Sequence, residues 1–390
     1  MKKIASIIIL MVFCATSLFA EESKPLQTVK PPAPAGRMDL LMQSAMQRGL
    51  IAGGVVLVGG AKNNYFSKAY GRVSPASDAK ETVVDTIFDL ASLTKVIATT
   101  PAVLKLAEER RLSLVDPVKK WLPAFDGKGW DELLLLNLLT HTSALNDFPL
   151  DPANPMQSAI NGAAAQSLKG EIGSRFHYAD INFILLKEVV RQVSGLPLDE
   201  YASKNIYQPL GMKDTAFRPP LEKRDRIAPT AGDNVLITGD PQDYLARQLG
   251  GVGGHAGLFS TAGDLAVFCR MLLGGGEVDG KRVMQQRTVD QMTAPYFSRG
   301  GRVIRGLGWD IASPYSSPRG NFFSRGSFGH TGYSGTSIWV DPEADIFVIL
   351  LTTRLDYRNK SGFNQLRSEL STLAVEAFGS PLLLKELEEK

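Results

Sequence analysis

The sequence predicts an α+β protein: one antiparallel sheet built from both chain ends and flanked by helices, plus an inserted, mostly helical lobe. Three observations carry this reading. Apolar runs at residues 53–60 and 65–70, joined through the turn formers Asn63 and Asn64, have the texture of paired strands. A second pair, residues 336–340 and 346–352, flanks the turn signal Asp341-Pro342 near the other end. Between these ends, helical spacing of apolar residues dominates, over 99–109, 130–139, 181–194 and 261–273.

The remaining elements follow in chain order. Residues 1–20 read as a secretory signal: Lys2 and Lys3 precede an apolar run from Ile4 to Phe13, and Ala20 precedes Glu21-Glu22. That run is shorter than the roughly 20 residues of a membrane span, so a membrane tether is expected only where the signal stays uncleaved. Residues 21–37 are proline-rich and read as an extended linker. The folded domain is expected over residues 38–380, opening with a helix at Met38 and closing with one over 364–378. Its α/β lobe would comprise residues 38–90 and 300–380, and its helical lobe residues 91–299.

Composition excludes several function classes. The chain is 44% apolar and 21% charged, which is ordinary for a globular protein. Without Lys2 and Lys3, 41 basic side chains face 40 acidic ones, a balance that calls for no nucleic-acid partner. Cys14 lies in the signal, which leaves Cys269 without an internal partner for a disulfide; within its apolar run it reads as a core residue of a helix. The four histidines, His141, His177, His255 and His330, have no metal-type spacing, and neither a metal nor another cofactor is expected. No Gly-x-Ser-x-Gly elbow occurs. The Gly-rich loop 249–257 follows no convincing strand, so it is not a dinucleotide site; as a flexible loop it would form a lid, with His255 bordering the cleft.

Ser-x-x-Lys occurs twice. Ser77 and Lys80 lie in a Pro- and Ser-containing stretch that reads as a surface loop. Ser92 and Lys95 instead lie in an apolar segment where a helix begins, and their i, i+3 spacing puts both on one face. A lysine buried there is pushed toward its neutral form, and a neutral amine can take the proton of a serine hydroxyl.

Two further elements stand in a fixed order after this pair. Tyr178-Ala-Asp180 opens an apolar helix, and His330-Thr331-Gly332 directly precedes a strand. With this ordered set the chain resembles the serine β-lactamase and penicillin-binding-protein superfamily, particularly class C β-lactamases, DD-peptidases and related esterases. The similarity extends through residues 138–145, 258–265 and 306–309 and covers about 38–378. The resemblance implies a β-lactamase/DD-peptidase-like fold and an acyl-enzyme on Ser92, with Lys95 and Tyr178 moving its proton. It further implies an oxyanion hole from the N–H groups of Ser92 and Tyr333, and substrate contacts from Asp180, His330, Thr331, Gly332 and Tyr333.

This chain departs from the family pattern twice. Asp180 replaces the usual Asn and, ionised, only accepts hydrogen bonds; it is also placed to hold Lys95 charged, which would shift base duty to Tyr178. His330 replaces Lys, and a largely neutral imidazole anchors a carboxylate less well. The later Tyr357-Arg-Asn359 lies outside the motif order and reads as loop. His141 reads as a hydrogen-bonded structural residue, and His177 as pointing away from the site. The expected function is an exported, periplasmic serine hydrolase, a DD-carboxypeptidase or muropeptide amidase on peptidoglycan-derived substrates. The competing readings are a carboxylesterase on small acyl esters, a β-lactamase, and a non-catalytic binding protein that retains the fold.

Overall fold

Eight strands form the main sheet: β1 (Ile51–Gly59), β2 (Asn64–Gly71), β3 (Phe297–Arg299), β4 (Val303–Arg305), β5 (Asp310–Ala312), β6 (Phe328–Thr331), β7 (Ser337–Asp341) and β8 (Ile346–Arg354). Their spatial order is β3-β4-β5-β6-β7-β8-β1-β2, antiparallel throughout, so the first strand pairs directly with the last. The computed structural model describes residues 33–379 except 128, 169, 233–234 and 301–302. The signal at 1–20 and residues 21–32 of the linker therefore lie outside the described residues.

The continuous apolar character of β1 and β8 has a physical cause. Side chains alternate across a strand, and here both faces are covered. Val55, Leu57, Phe347, Ile349 and Leu351 point into a core shared with the helical lobe. Their neighbours Val56, Val58, Ile346, Val348 and Leu350 pack against α1 (Pro34–Gln47) and α4 (Lys360–Phe378) through Met38, Met42, Leu366 and Leu370. Helix α1 starts inside the stretch read as linker. Pro34 stands in its first turn, where a missing N–H costs nothing, so the proline there opens the helix instead of extending the tether.

The helical lobe contains α2 (Ile181–Ser194) and α3 (Ala262–Leu273), the latter capped by the Thr261 hydroxyl, which accepts from the Asp264 N–H. The helix expected over 130–139 is broken into a 3-10 turn, Trp130–Glu132, and a short helix, Leu135–Leu139. The intervening Leu133 and Leu134 are extended because they pair with residues 117 and 118: the Leu133 carbonyl accepts from Val118 N–H at 2.7 Å. Tertiary pairing overrides helical periodicity at that point. Among the described residues, no helix is long and apolar enough to cross a membrane.

A small sheet of Phe88–Asp89, Leu258–Ser260 and Ala216–Phe217 delivers the chain to the Ser92 turn. That turn begins as a 3-10 helix, Ala91–Leu93, passes through a π-helical segment, Lys95–Thr99, and continues as an α-helix, Thr100–Glu108. Pro101 offers no N–H to the Ile97 carbonyl, and the buried Tyr207 hydroxyl donates to that carbonyl instead, at 3.3 Å. Wide turns of this kind recur at functional sites.

Candidate active site

Ala91, directly before Ser92, is buried and held at φ +46°, a left-handed conformation that a non-glycine residue adopts only under constraint. The constraint is visible: its N–H donates to Asp89 Oδ1 at 2.9 Å. The first internal bond of the turn runs from Leu93 N–H to the Leu90 carbonyl, so Ser92 N–H precedes any intrahelical acceptor. The strand edge carrying the third motif is clamped onto this turn. Ser334 Oγ donates to the Asp89 carbonyl at 2.7 Å, and Thr336 Oγ1 to the Leu90 carbonyl at 3.0 Å.

Gly332 follows from that clamp. A Cβ there would lie 2.0 Å from Thr336 Oγ1 and 2.4 Å from the Leu90 carbonyl oxygen. Its role is to let the strand edge approach the nucleophile turn. The approach brings Tyr333, the residue that follows, to the same cavity as Ser92.

Lys95 is wholly buried. Its Nζ donates to Ser92 Oγ at 3.0 Å and to the His255 carbonyl at 3.1 Å, and lies 2.7 Å from Asp180 Oδ1. The last contact is an ion pair without hydrogen-bond alignment, since Asp180 Oδ1 lacks a well-directed donor. Burial alone would push the Lys95 pKa down, but Asp180 together with Tyr178 reverses this and holds the ammonium above its ordinary value. Of the two states the sequence left open, the neutral lysine that burial alone favours gives way to the charged one that Asp180 favours.

Tyr178 lines the cavity together with Ser92, and its ring centroid lies 4.9 Å from Lys95 Nζ. Burial raises its pKa, against the lowering influence of Lys95, so the phenol keeps its proton. Its ring stacks on His141 with centroids 4.4 Å apart. His141 is buried and fixed by Ala179 N–H and the Asn182 amide, both 3.2 Å from Nδ1. Burial, then Arg305 and Lys95, keeps it well below the ordinary histidine value. His141 thus orients the tyrosine as a neutral support, in line with its structural reading.

A cavity of about 280 Å³ opens on Ser92, Tyr178, His330, Thr331, Gly332 and Tyr333. Asp180 is not among its lining residues and faces Lys95 instead, so its place differs from the substrate contact expected for it. His330 is buried, with Nδ1 2.9 Å from the Thr331 carbonyl. Burial and the nearby Arg305 and Lys95 hold its pKa well below the usual value, so it brings no charge to the cavity at neutral pH. Of the loop 249–257, expected as a lid, Gly250 is exposed but residues 251–257 are buried: Thr99 Oγ1 donates to the Gly254 carbonyl, and the His255 carbonyl meets Lys95. His177 is exposed, and Ser77 and Lys80 lie in an exposed loop.

Sequence reasoning missed the cations of the cavity. Arg354, Lys360 and Arg367 also line it, and among the described residues none of them has a carboxylate partner. Arg354 Nη1 donates to the Tyr333 carbonyl at 3.2 Å, while Arg367 Nη2 holds the carbonyls of Gly332 at 2.7 Å and Thr336 at 2.8 Å. Burial lowers the pKa of Arg367 to about 9. An arginine ending an otherwise uncharged, buried strand, as Arg354 does in β8, was the one available signal. Also unread were Tyr315, which borders the cavity, and Asp243, whose Oδ1 lies 2.8 Å from His255 Nε2.

The chain is similar to known proteins. A sequence profile of the beta-lactamase family matches residues 38–370. The chain is 33% identical over 307 residues to an Escherichia coli (strain K12) protein named "Putative D-alanyl-D-alanine carboxypeptidase", with 69% of each chain covered. A protein of the same name from Salmonella enteritidis PT4 (strain P125109) is 29% identical over 390 residues, or 87% of this chain and 88% of that one. Among solved structures, a penicillin-binding protein homolog from Caulobacter crescentus superposes with a TM-score of 0.72 at 21% identity, covering 89% of this chain and 98% of that one. A class C beta-lactamase mutant superposes at 0.73 with 20% identity, covering 86% and 96%. These two likenesses concern the fold. With the profile spanning the sheet, the Ser92 turn and the third motif, the chain belongs to the beta-lactamase family and is a serine hydrolase.

Proposed function

We propose that this chain is an exported, periplasmic DD-carboxypeptidase or muropeptide amidase that acylates Ser92 with peptidoglycan-derived peptides. The observation that carries this reading is one cavity lined both by Ser92 and by Arg354, Lys360 and Arg367, cations that among the described residues have no carboxylate partner. Such a cavity suits a short acyl chain ending in a free carboxylate. Guanidinium groups bind that end with charge-assisted hydrogen bonds, which a neutral His330 cannot supply. The name shared by the two relatives supports the same reading.

The chemistry follows from the resting protonation states. Ser92 Oγ attacks the scissile carbonyl while its proton passes to the Tyr178 oxygen. Tyr178 gives its own proton to the leaving nitrogen, so no free phenolate is required. The Lys95 ammonium stays in place and stabilises the negative charge that develops on this path. Ser92 N–H and Tyr333 N–H are the donors for the carbonyl oxygen; one such donor is worth about 3 kcal/mol in comparable enzymes. Water then enters by the reverse relay and releases the acyl group.

Asp180 favours a second reading, a carboxylesterase. With no amide at position 180 to hold a substrate amide carbonyl, esters would be less disadvantaged than peptides. One experiment separates the readings: mass spectrometry of muropeptides alongside turnover of p-nitrophenyl butyrate. Loss of terminal D-alanine from pentapeptides supports the carboxypeptidase, and ester turnover with muropeptides unchanged overturns it. A fluorescent penicillin or fluorophosphonate label that is lost in Ser92→Ala and kept in Ser77→Ala identifies the nucleophile.

A further inference from the structure

His255 is wholly buried beneath Lys95, and both of its ring nitrogens face acceptors. Nδ1 lies 3.0 Å from the Gly253 carbonyl, and Nε2 lies 2.8 Å from Asp243 Oδ1. A neutral imidazole carries one N–H and one lone pair, so one contact would set lone pair against oxygen. Only the doubly protonated ring satisfies both. Asp243 is itself fixed, because the same oxygen accepts from Ala246 N–H at 2.7 Å.

The charged groups facing His255 are Asp243, Asp180 and Lys95. Asp180, Asp243 and His255 each place one side-chain oxygen or nitrogen within 4.8 Å of the others. With Lys95 on Asp180, two carboxylates and two cations form a compact neutral group. Lys95 has three N–H bonds, and three oxygens, of Ser92, Asp180 and His255, lie within 3.1 Å of it. Removing the His255 carbonyl from that set frees the ammonium to turn away from Ser92.

We propose that Asp243 and His255 form a positioning pair: the imidazolium, tied at both nitrogens, fixes its own main-chain carbonyl on Lys95 and so aims the ammonium at Ser92. The idea rests on Ser92 and Lys95 acting together in acylation. Burial opposes a charged His255, but Asp243 and Asp180 outweigh it and raise the pKa above its ordinary value. The pair is therefore held to higher pH than an ordinary histidine would allow and is lost as pH rises through the raised value.

The test uses the full-length protein and two readouts. The first is the 15N spectrum of the histidine rings at about pH 7.5, roughly one unit above the ordinary histidine value. Both His255 nitrogens should be protonated in the wild type, and Asp243→Asn, which keeps the helix cap, should let the ring lose a proton. The second is the rate of Ser92 acylation by fluorescent penicillin. Asp243→Asn and His255→Gln should each lower the limiting rate by about 10- to 100-fold, as a displacement on the order of 1 Å does, with the half-saturating concentration little changed. The double variant should be no slower than the worse single one. A neutral His255 in the wild type, or variants that acylate at the wild-type rate, would overturn the proposal. Should His255→Gln not fold, the wild-type spectrum and Asp243→Asn decide alone. A wild-type protein that takes no label refutes the reading of Ser92 instead, while the ring spectrum still decides the charge of His255.

Discussion

The Asp180 carboxylate is 2.7 Å from the Lys95 ammonium, which is fully buried, while the carboxylate itself remains partly open to solvent. This one contact decides the protonation state of the pair that handles the Ser92 proton. It also gives the aspartate a partner inside the protein, where the family's asparagine would be free to meet a substrate amide.

Asp180→Asn should therefore act on two levels. Without the carboxylate, burial dominates and the Lys95 pKa falls, which supplies a neutral amine; the amide also gains a donor for a substrate carbonyl. Acylation by penicillin should rise about tenfold, the worth of one ordinary hydrogen bond. Stability should fall by about 1–3 kcal/mol, less than the loss for a fully buried pair because Asp180 is partly exposed. The folded-state pKa of Lys95 is raised, so this loss is complete below the unfolded value of 10.5 and fades as pH rises through the folded value. Denaturant melts at neutral and alkaline pH check the sign.

Gly332→Ala should disable the site with the cavity cations intact. The new methyl meets the Leu90 carbonyl, a backbone atom of the nucleophile turn that cannot swing aside. The expected result is acylation slower by about 100-fold with a stability loss of roughly 1–3 kcal/mol. Labelling rates and thermal melts on one preparation separate the two effects.

Lys360→Ala should reveal what the cations of the cavity recognise. Lys360 lines the cavity without a carboxylate partner among the described residues. For peptides ending in a free carboxylate, kcat/KM should drop about tenfold, as befits one charged hydrogen bond. For an uncharged ester it should hold. Equal losses on both substrates would remove the carboxylate from the account.

Acid should destabilise the fold from about pH 6.5 downward. His141 and His330 have folded-state values well below the ordinary 6.5, so the unfolded chain binds protons there that the native state refuses. Each contributes a loss of about 1.4 kcal/mol per pH unit until its folded value is reached. His255 has the opposite sign: its raised value adds stability below 6.5 that is lost as pH rises through the folded value. His141→Asn should flatten the acid side, measured by urea melts between pH 8 and pH 5 (about one to two units either side of the ordinary histidine value).

Local chemistry determined much of this protein from the sequence alone. Apolar runs long enough for strands at both ends had to pair with each other, and β1 beside β8 is the outcome. Ser92 and Lys95 share a face because helical geometry puts i and i+3 together, and their 3.0 Å contact follows from that spacing. The family resemblance carried by the three ordered motifs implied places for Tyr178 and Tyr333 at the site, and both line the cavity with Ser92. Tertiary structure alone decided the rest, because charge and burial are set by neighbours remote in sequence. Lys95 is charged owing to a carboxylate 85 positions away, and His255 meets it across 160 positions. Helical periodicity over 130–139 yielded to pairing with 117–118, since an extended segment could satisfy its backbone groups there. Arg354, Lys360 and Arg367 are a strand end and two turns of a helix in the sequence; only folding brings them to one cavity with Ser92.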